Sequence, residues 1–172
     1  MVETRVKRLG AKDVEAFRRL RLEALRLAPF AYASSYEEWL ALSDDDWRRR
    51  LGENPVFAAF VDGSPVGLMG LVRERRRKSA HRAQITMVYV REAMRGQGVS
   101  SALLDAVTEH ARQLGIRQLE LVVSCENPIA YNFYRRNGFV EFGRIPGALC
   151  ADGREVDEWL MARCIDRDDA LS

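Results

Sequence analysis

Ile85–Val90 (ITMVYV) is the segment that most limits what this chain can fold into. It is apolar on both faces and rich in β-branched residues, which predicts a strand buried in the middle of a sheet. Gly96 and Gly98 follow, and then an amphipathic run. Val99, Leu103, Ala106, Val107, His110 and Leu114 fall at offsets 0, 4, 7, 8, 11 and 15. That period predicts a helix over Ser100–Leu114, stopped by Gly115. Leu119–Val123 reads as the next strand. Strand, helix and strand in this order make a right-handed crossover, so the two strands run parallel.

The flanks add antiparallel pieces. Arg5–Leu9 predicts a short strand, and Lys12–Leu27 a helix with Phe17, Leu20, Ala24 and Leu27 on one face. Pro29 ends that helix. Ser35 and Glu38 have capping-box spacing for a short helix. Ser43 caps another, with Asp44, Asp45 and Asp46 in its first turn, Arg48, Arg49 and Arg50 in its last, and Gly52 as its stop. That charge order complements the helix dipole and reads as construction. Val56–Val61 and Val66–Val72 join through Asp62-Gly63 as a hairpin. Asn127 caps a helix that begins at Pro128 and runs to Gly138. Val140–Gly143 and Val156–Cys164 are the last strands, joined through Asp152-Gly153. The order predicts one domain over residues 1–172: a mixed α/β sheet with helices on both faces.

Composition excludes several classes. The chain has 27 Lys+Arg against 25 Asp+Glu, a balance too even for a nucleic-acid coat or a polybasic membrane anchor. Its one basic run, Arg73–Lys78, is short and sits between apolar runs. Cys125, Cys150 and Cys164 lack metal-ligand spacing and are odd in number, so no disulfide framework or metal site is expected. That usage fits a reducing compartment. Met1–Gly10 is charged rather than apolar, and no apolar run has the length of a membrane span. A cytoplasmic protein is the expectation.

Arg95–Ser101 (RGQGVSS) carries the chemistry. Its glycines let backbone turn tightly and approach a ligand closely. Free N–H groups at Gly98, Val99, Ser100 and Ser101 would point into one concavity at the positive end of a helix dipole, which suits a pyrophosphate, and Arg95 adds a positive charge. A tight turn without a ligand is the bland alternative. A dinucleotide fingerprint fits poorly, because Ser101 stands where its third glycine belongs and Glu120 sits at the wrong end of its strand.

From Ile85 to Gly143 the chain resembles the GCN5-related N-acetyltransferases. Their signature [RQ]-x-x-G-x-[GA] after the fourth strand is met by Arg95, Gly96, Gln97, Gly98 and Val99, with Ser100, also small, departing from the final Gly or Ala. A second signature, after the fifth strand, is met by Asn127, Ala130, Phe133, Tyr134, Gly138 and Phe139. The stretch from Leu20 to Trp39 also looks like a bacterial branch of that family. The resemblance implies a mostly antiparallel sheet whose parallel fourth and fifth strands splay to admit acetyl-coenzyme A. It implies pantetheine contacts from the backbone of Val88 and Val90, with the Val88 N–H beside the thioester oxygen. It gives Asn127, Ala130 and Phe133 to the cofactor side, and makes Tyr134 the acid that protonates the departing thiolate. No protein nucleophile and no metal are needed, since the acceptor amine attacks directly.

A primary amine with a pKa of about 10.4 must first lose a proton. The fourth strand carries no carboxylate, and Glu126, Glu120, His81 and Glu38 remain open as bases beside a water chain. The aromatics Phe30, Tyr32 and Tyr36 flank the amine side and suggest an acceptor with apolar or flat surface. The expected function is N-acetyl transfer to the amine of a small molecule or peptide. The alternative is a non-catalytic acyl-coenzyme A-binding module. His110 and Cys125 read as packed residues, and Asp157 and Glu158 project to opposite strand faces, which excludes a paired-carboxylate site. The strand at Val156 offers an edge for a homodimer.

Overall fold

A computed structural model describes residues 2–166. Seven strands form one sheet in the order β1-β2-β3-β4-β5-β7-β6. They are β1 (Arg5–Arg8), β2 (Val56–Val61), β3 (Ser64–Arg73), β4 (Arg82–Val90), β5 (Gln118–Ser124), β6 (Val140–Ala151) and β7 (Arg154–Cys164). The helices are α1 (Val14–Leu27), α2 (Tyr36–Leu40), α3 (Asp44–Glu53), α4 (Val99–Gln113) and α5 (Pro128–Arg136). Every strand pair is antiparallel except β4 with β5, as the crossover through α4 demands.

Period-two alternation on β2 separates two cores. Phe57 and Ala59 pack with Leu103, Leu104, Val107 and Ala111 of α4. Val56 and Ala58 pack on the other face with Phe17, Leu20 and Ala24 of α1. Phe17, Trp39 and Trp47 lock α1, α2 and α3 together, with ring centroids 5.2–6.0 Å apart. Helices therefore cover both faces, and the parallel pair lies inside the sheet.

Several expectations shift in detail. α3 runs through Gly52 and stops at Glu53, because Pro55 pushes Asn54 into extended backbone (φ −137°, ψ 145°). β6 extends from Gly143 to Ala151 and carries Pro146 within it. The proline is tolerated because β6 is an edge strand and its pairing with β7 is broken between Ile145 and Leu149. β7 is inserted between β5 and β6, so both its edges are filled and it cannot pair with a second copy as expected. The basic loop closes on itself, with Arg73 donating to the Ala80 carbonyl (2.8 Å).

Two local features shape the gap next to β4. The β4–β5 ladder holds only three pairs, Arg82–Gln118, Ala83–Leu119 and Gln84–Glu120, and then ends. On the other side of β4, the pairing with β3 slips between Leu68 and Gly70. Met87 absorbs the extra residue in left-handed backbone (φ 52°), a strained conformation for a side chain of its size. Gly70 permits this, because a methyl there would lie 2.7 Å from Thr86 Oγ1 and 2.8 Å from Met87 Cε.

Glu23 on α1 anchors the end of β4. It accepts from Tyr89 Oη and from Arg91 Nε and Nη2, each at 2.8 Å. The Arg91 guanidinium holds its carboxyl below the ordinary range, and Tyr89 assists. A carboxylate with a lowered pKa stabilises the fold above the ordinary carboxylate range, and the benefit fades as pH falls through the folded-state value. Glu23→Gln is expected to lower the melting temperature at pH 7 by the equivalent of about 1–3 kcal/mol. In thermal melts, the gap between variant and parent should narrow as the pH drops below about 4.

Candidate active site

Where the ladder ends, the backbone of β4 opens toward β5. Arg91 N–H donates to the Val66 carbonyl of β3 (2.9 Å), so alternation turns Val88 and Val90 the other way, into the gap. Their carbonyls are met from that side. Tyr32 Oη donates to Val88 O (2.6 Å), and Arg95 Nε donates to Val90 O (3.1 Å). The cleft that results has a volume of about 440 Å³. Its walls come from β4, β5, the N-terminus of α5, and the α1–α2 region.

Both parallel strands lead from the gap into helix N-termini. After β4, Arg95 leads into Gly96 (φ 75°) and Gly98 (φ 86°), left-handed positions that suit glycine. α4 begins at Val99, and its first helical bond runs from Ala102 N–H to Gly98 O (3.0 Å). The N–H groups of Val99, Ser100 and Ser101 precede that bond, and no side chain caps the helix. Gln97 is turned back, donating to the Ala93 carbonyl (2.8 Å). The turn therefore offers uncapped donors at a positive helix end, which fits a diphosphate.

After β5, Asn127 caps α5 by accepting from Ala130 N–H (3.1 Å), and both residues line the cleft with Tyr134. Tyr134 is 4% exposed, between the rings of Phe133 (5.3 Å) and Phe139 (5.5 Å). Burial pushes its phenol far above the usual tyrosine value, and nearby Tyr32 adds to the shift. It is a neutral phenol at physiological pH. Phe133 packs behind it against the core.

The acceptor side differs from expectation. Tyr32 lines the cleft, its phenol raised to about 12 by burial. Tyr36 packs into the α1 core, and Phe30 lies under the Arg154 guanidinium (4.6 Å); neither is part of the cleft wall. None of the expected bases lines it either. Glu126 pairs with Arg154, Glu120 with Arg82 (3.1 Å), Glu38 accepts from Ser35 N–H (2.8 Å), and the His81 carbonyl accepts from Arg117 N–H at the closed end of the parallel pair. The carboxylates that do line the cleft are Glu53 and Glu158. Glu158 is 9% exposed, opposite Ser124 on β5, and burial raises its pKa.

Arg21, Trp39 and Arg50 are among the other lining residues that the sequence did not single out as site residues. For Arg21 and Glu158 a signal existed. Arg21 lies on the apolar stripe with Phe17, Leu20 and Ala24, and Glu158 alternates with the buried Val156. A charge on a buried face has to have a use. Cys125 is half-buried with its thiol raised by burial, and the half-buried His110 meets Phe57 edge to face (5.4 Å), so both fit packing roles. Among the described residues no His, Cys, Asp or Glu group could hold a metal, and no helix is long and apolar enough to cross a membrane.

Comparison with known proteins agrees with this geometry. The profile of the acetyltransferase (GNAT) family matches residues 16–139, and the chain belongs to that family. It is 31% identical over 122 residues to an uncharacterized N-acetyltransferase of Methanocaldococcus jannaschii, covering 69% of this chain and 50% of the relative. It is 33% identical over 79 residues to the L-methionine sulfoximine/L-methionine sulfone acetyltransferase of Pseudomonas aeruginosa, covering 46% of each. The matches thus span about half the length of these curated relatives. The fold is that of a GNAT-family acetyltransferase from Streptococcus pneumoniae (TM-score 0.83, 21% identity, 95% and 100% of the two chains covered). It is also that of a Salmonella typhimurium protein whose structure was solved with its cofactor acetyl-CoA (TM-score 0.77, 19% identity, 96% and 95% covered).

The turn before α4 is open to a direct check. Gly98→Ala forces a side chain into left-handed backbone at a cost of about 1–2 kcal/mol. Calorimetric titration with coenzyme A should show affinity reduced about tenfold. Unchanged affinity would detach this turn from diphosphate binding.

Proposed function

We propose that the chain is an acetyl-coenzyme A-dependent N-acetyltransferase that acts on the primary amine of a small molecule or peptide. One observation carries this reading: Val88, Tyr134 and Glu158 line one cleft at the opened β4–β5 gap, and β4 leads on from that gap to an uncapped helix N-terminus. Acetyl-coenzyme A, when bound, supplies an acetyl group already activated as a thioester, which an amine can attack without a protein nucleophile. The donors ahead of α4, with Arg95 beside them, suit its diphosphate.

This chain's residues have distinct parts in that reading. The Val88 N–H is an oxyanion donor, because it faces the gap from a strand held in place by the bulge at Met87. Tyr134 keeps its proton through its burial and delivers it to the leaving sulfur. Glu158 takes the proton of the incoming ammonium. Its raised pKa brings it closer to that task than an ordinary exposed glutamate. β4 carries no carboxylate, and Glu158 of β7 lines the cleft in its place, which favours the catalytic reading over a non-catalytic one.

The test is steady-state kinetics following thiol release with a panel of amines. Tyr134→Phe should lower kcat by about 10²–10⁴ and leave acetyl-coenzyme A binding within threefold. Glu158→Gln should lower kcat/KM by about 10² at pH 7 and remove the acid limb of the pH profile, which in the parent falls as Glu158 becomes protonated. Unchanged turnover in either variant would remove that residue from the chemistry.

A further inference from the structure

Arg21 is the least explained residue in the molecule. It is 4% exposed on α1, and its Nε and Nη1 are buried with no hydrogen-bond partner among the described residues. Its guanidinium carbon lies over two aromatic rings, 4.8 Å from the Tyr32 centroid and 4.5 Å from the Trp39 centroid. Stacking on aromatic faces leaves the in-plane edges of the fork to bind a ligand. Each edge pairs Nη2 with one of the orphaned nitrogens. The neighbouring charge is Arg50, which also stacks on Trp39 (4.7 Å) and lines the same cleft. Desolvation and Arg50 together pull the Arg21 pKa down to about 10. A buried, unpaired guanidinium is destabilising, so the fold alone gives no reason for it.

We propose that Arg21 is the carboxylate anchor of the acceptor site, and that the acceptor is a zwitterionic amino acid bearing a free carboxylate and a primary amine. A planar carboxylate matches the guanidinium fork edge to edge and satisfies two parallel donors at once. The polarity of the cleft fits the other end. Glu158, the buried carboxylate that lines the same cleft, is the partner for the ammonium group before it gives up its proton. A polyamine would leave Arg21 orphaned and add cations beside it. A dicarboxylate without an amine would leave Glu158 facing like charge. Arg50, at the exposed rim, adds attraction for an anion without being enclosed.

This assignment rests on the transferase reading and is tested so that the two can fail separately. Thiol release from acetyl-coenzyme A is measured with the proteinogenic L-amino acids, each beside its carboxamide, and with spermidine and putrescine. The best acid should exceed its own amide at least tenfold in kcat/KM. Isothermal titration should show the acid, but not the amide, binding the protein. Arg21→Met should lower the acid's kcat/KM and affinity at least tenfold and erase the preference over the amide. The same variant should melt no lower than the parent without ligands, because it removes an unpaired buried charge. Arg21→Lys, which keeps the charge but not the fork, should also lose most of the preference. Equal use of acids and amides, or a preference that survives Arg21→Met, overturns the anchor. Transfer confined to the polyamines overturns it too, and leaves the transferase reading intact. No transfer to any amine, together with no melting shift from acetyl-coenzyme A, overturns both.

Discussion

The parting of β4 from β5 is the constraint on which the rest of this molecule depends. Two parallel strands in the middle of a sheet ordinarily pair along their length, since an unpaired buried backbone group costs about 1–3 kcal/mol. Here the ladder ends after Gln84 and Glu120, and the polar groups of Val88 and Val90 are left to find other partners. Tyr32 from the loop between α1 and α2, and Arg95 from the turn before α4, reach in to meet the two carbonyls. The bulge at Met87, made possible by the missing side chain at Gly70, re-aims that stretch of β4. The sheet thus keeps a polar slot at its centre where a ligand can complete the hydrogen bonding that β5 does not supply.

The surrounding charges divide into structural and available ones. Glu23 is saturated by Tyr89 and Arg91, which ties α1 to β4 and fixes the lip of the slot. Arg18 with Asp44 and Arg144 with Asp157 are likewise closed pairs. Among the described residues, Arg21 and Glu158 are the buried charged side chains, neither is in an ion pair, and both line the same cleft. Desolvation shifts each toward neutrality. Such groups cost stability in the empty protein, and function is the ordinary reason for keeping them.

Much of this was legible before any coordinates. The α4 crossover, the parallel pair and the glycine turn follow from strong local signals: a double-sided apolar strand, two glycines and a 3.6-residue period. Ser35 with Glu38 and Asn127 with Ala130 cap their helices as their spacing requires. The misses have physical causes. Gly52 is a weak stop compared with Pro55, which acts through the residue before it. The place of β7 inside the sheet follows from long-range pairing that no local pattern encodes. Glu158 lies far along the chain from β4 and reaches the cleft through the β5–β7 ladder, a long-range pairing that no local pattern shows. The aromatic loop showed its composition but not its direction, so Tyr32 faces the cleft while Phe30 and Tyr36 do not.

Amide NMR of the protein titrated with acetyl-coenzyme A tests the central claim most directly. If the opened slot and the turn before α4 together receive that ligand, the amides of Val88, Val90, Val99, Ser100 and Ser101 shift and gain protection from exchange at saturation. Shifts confined to another surface, with these five amides unmoved, would contradict the account.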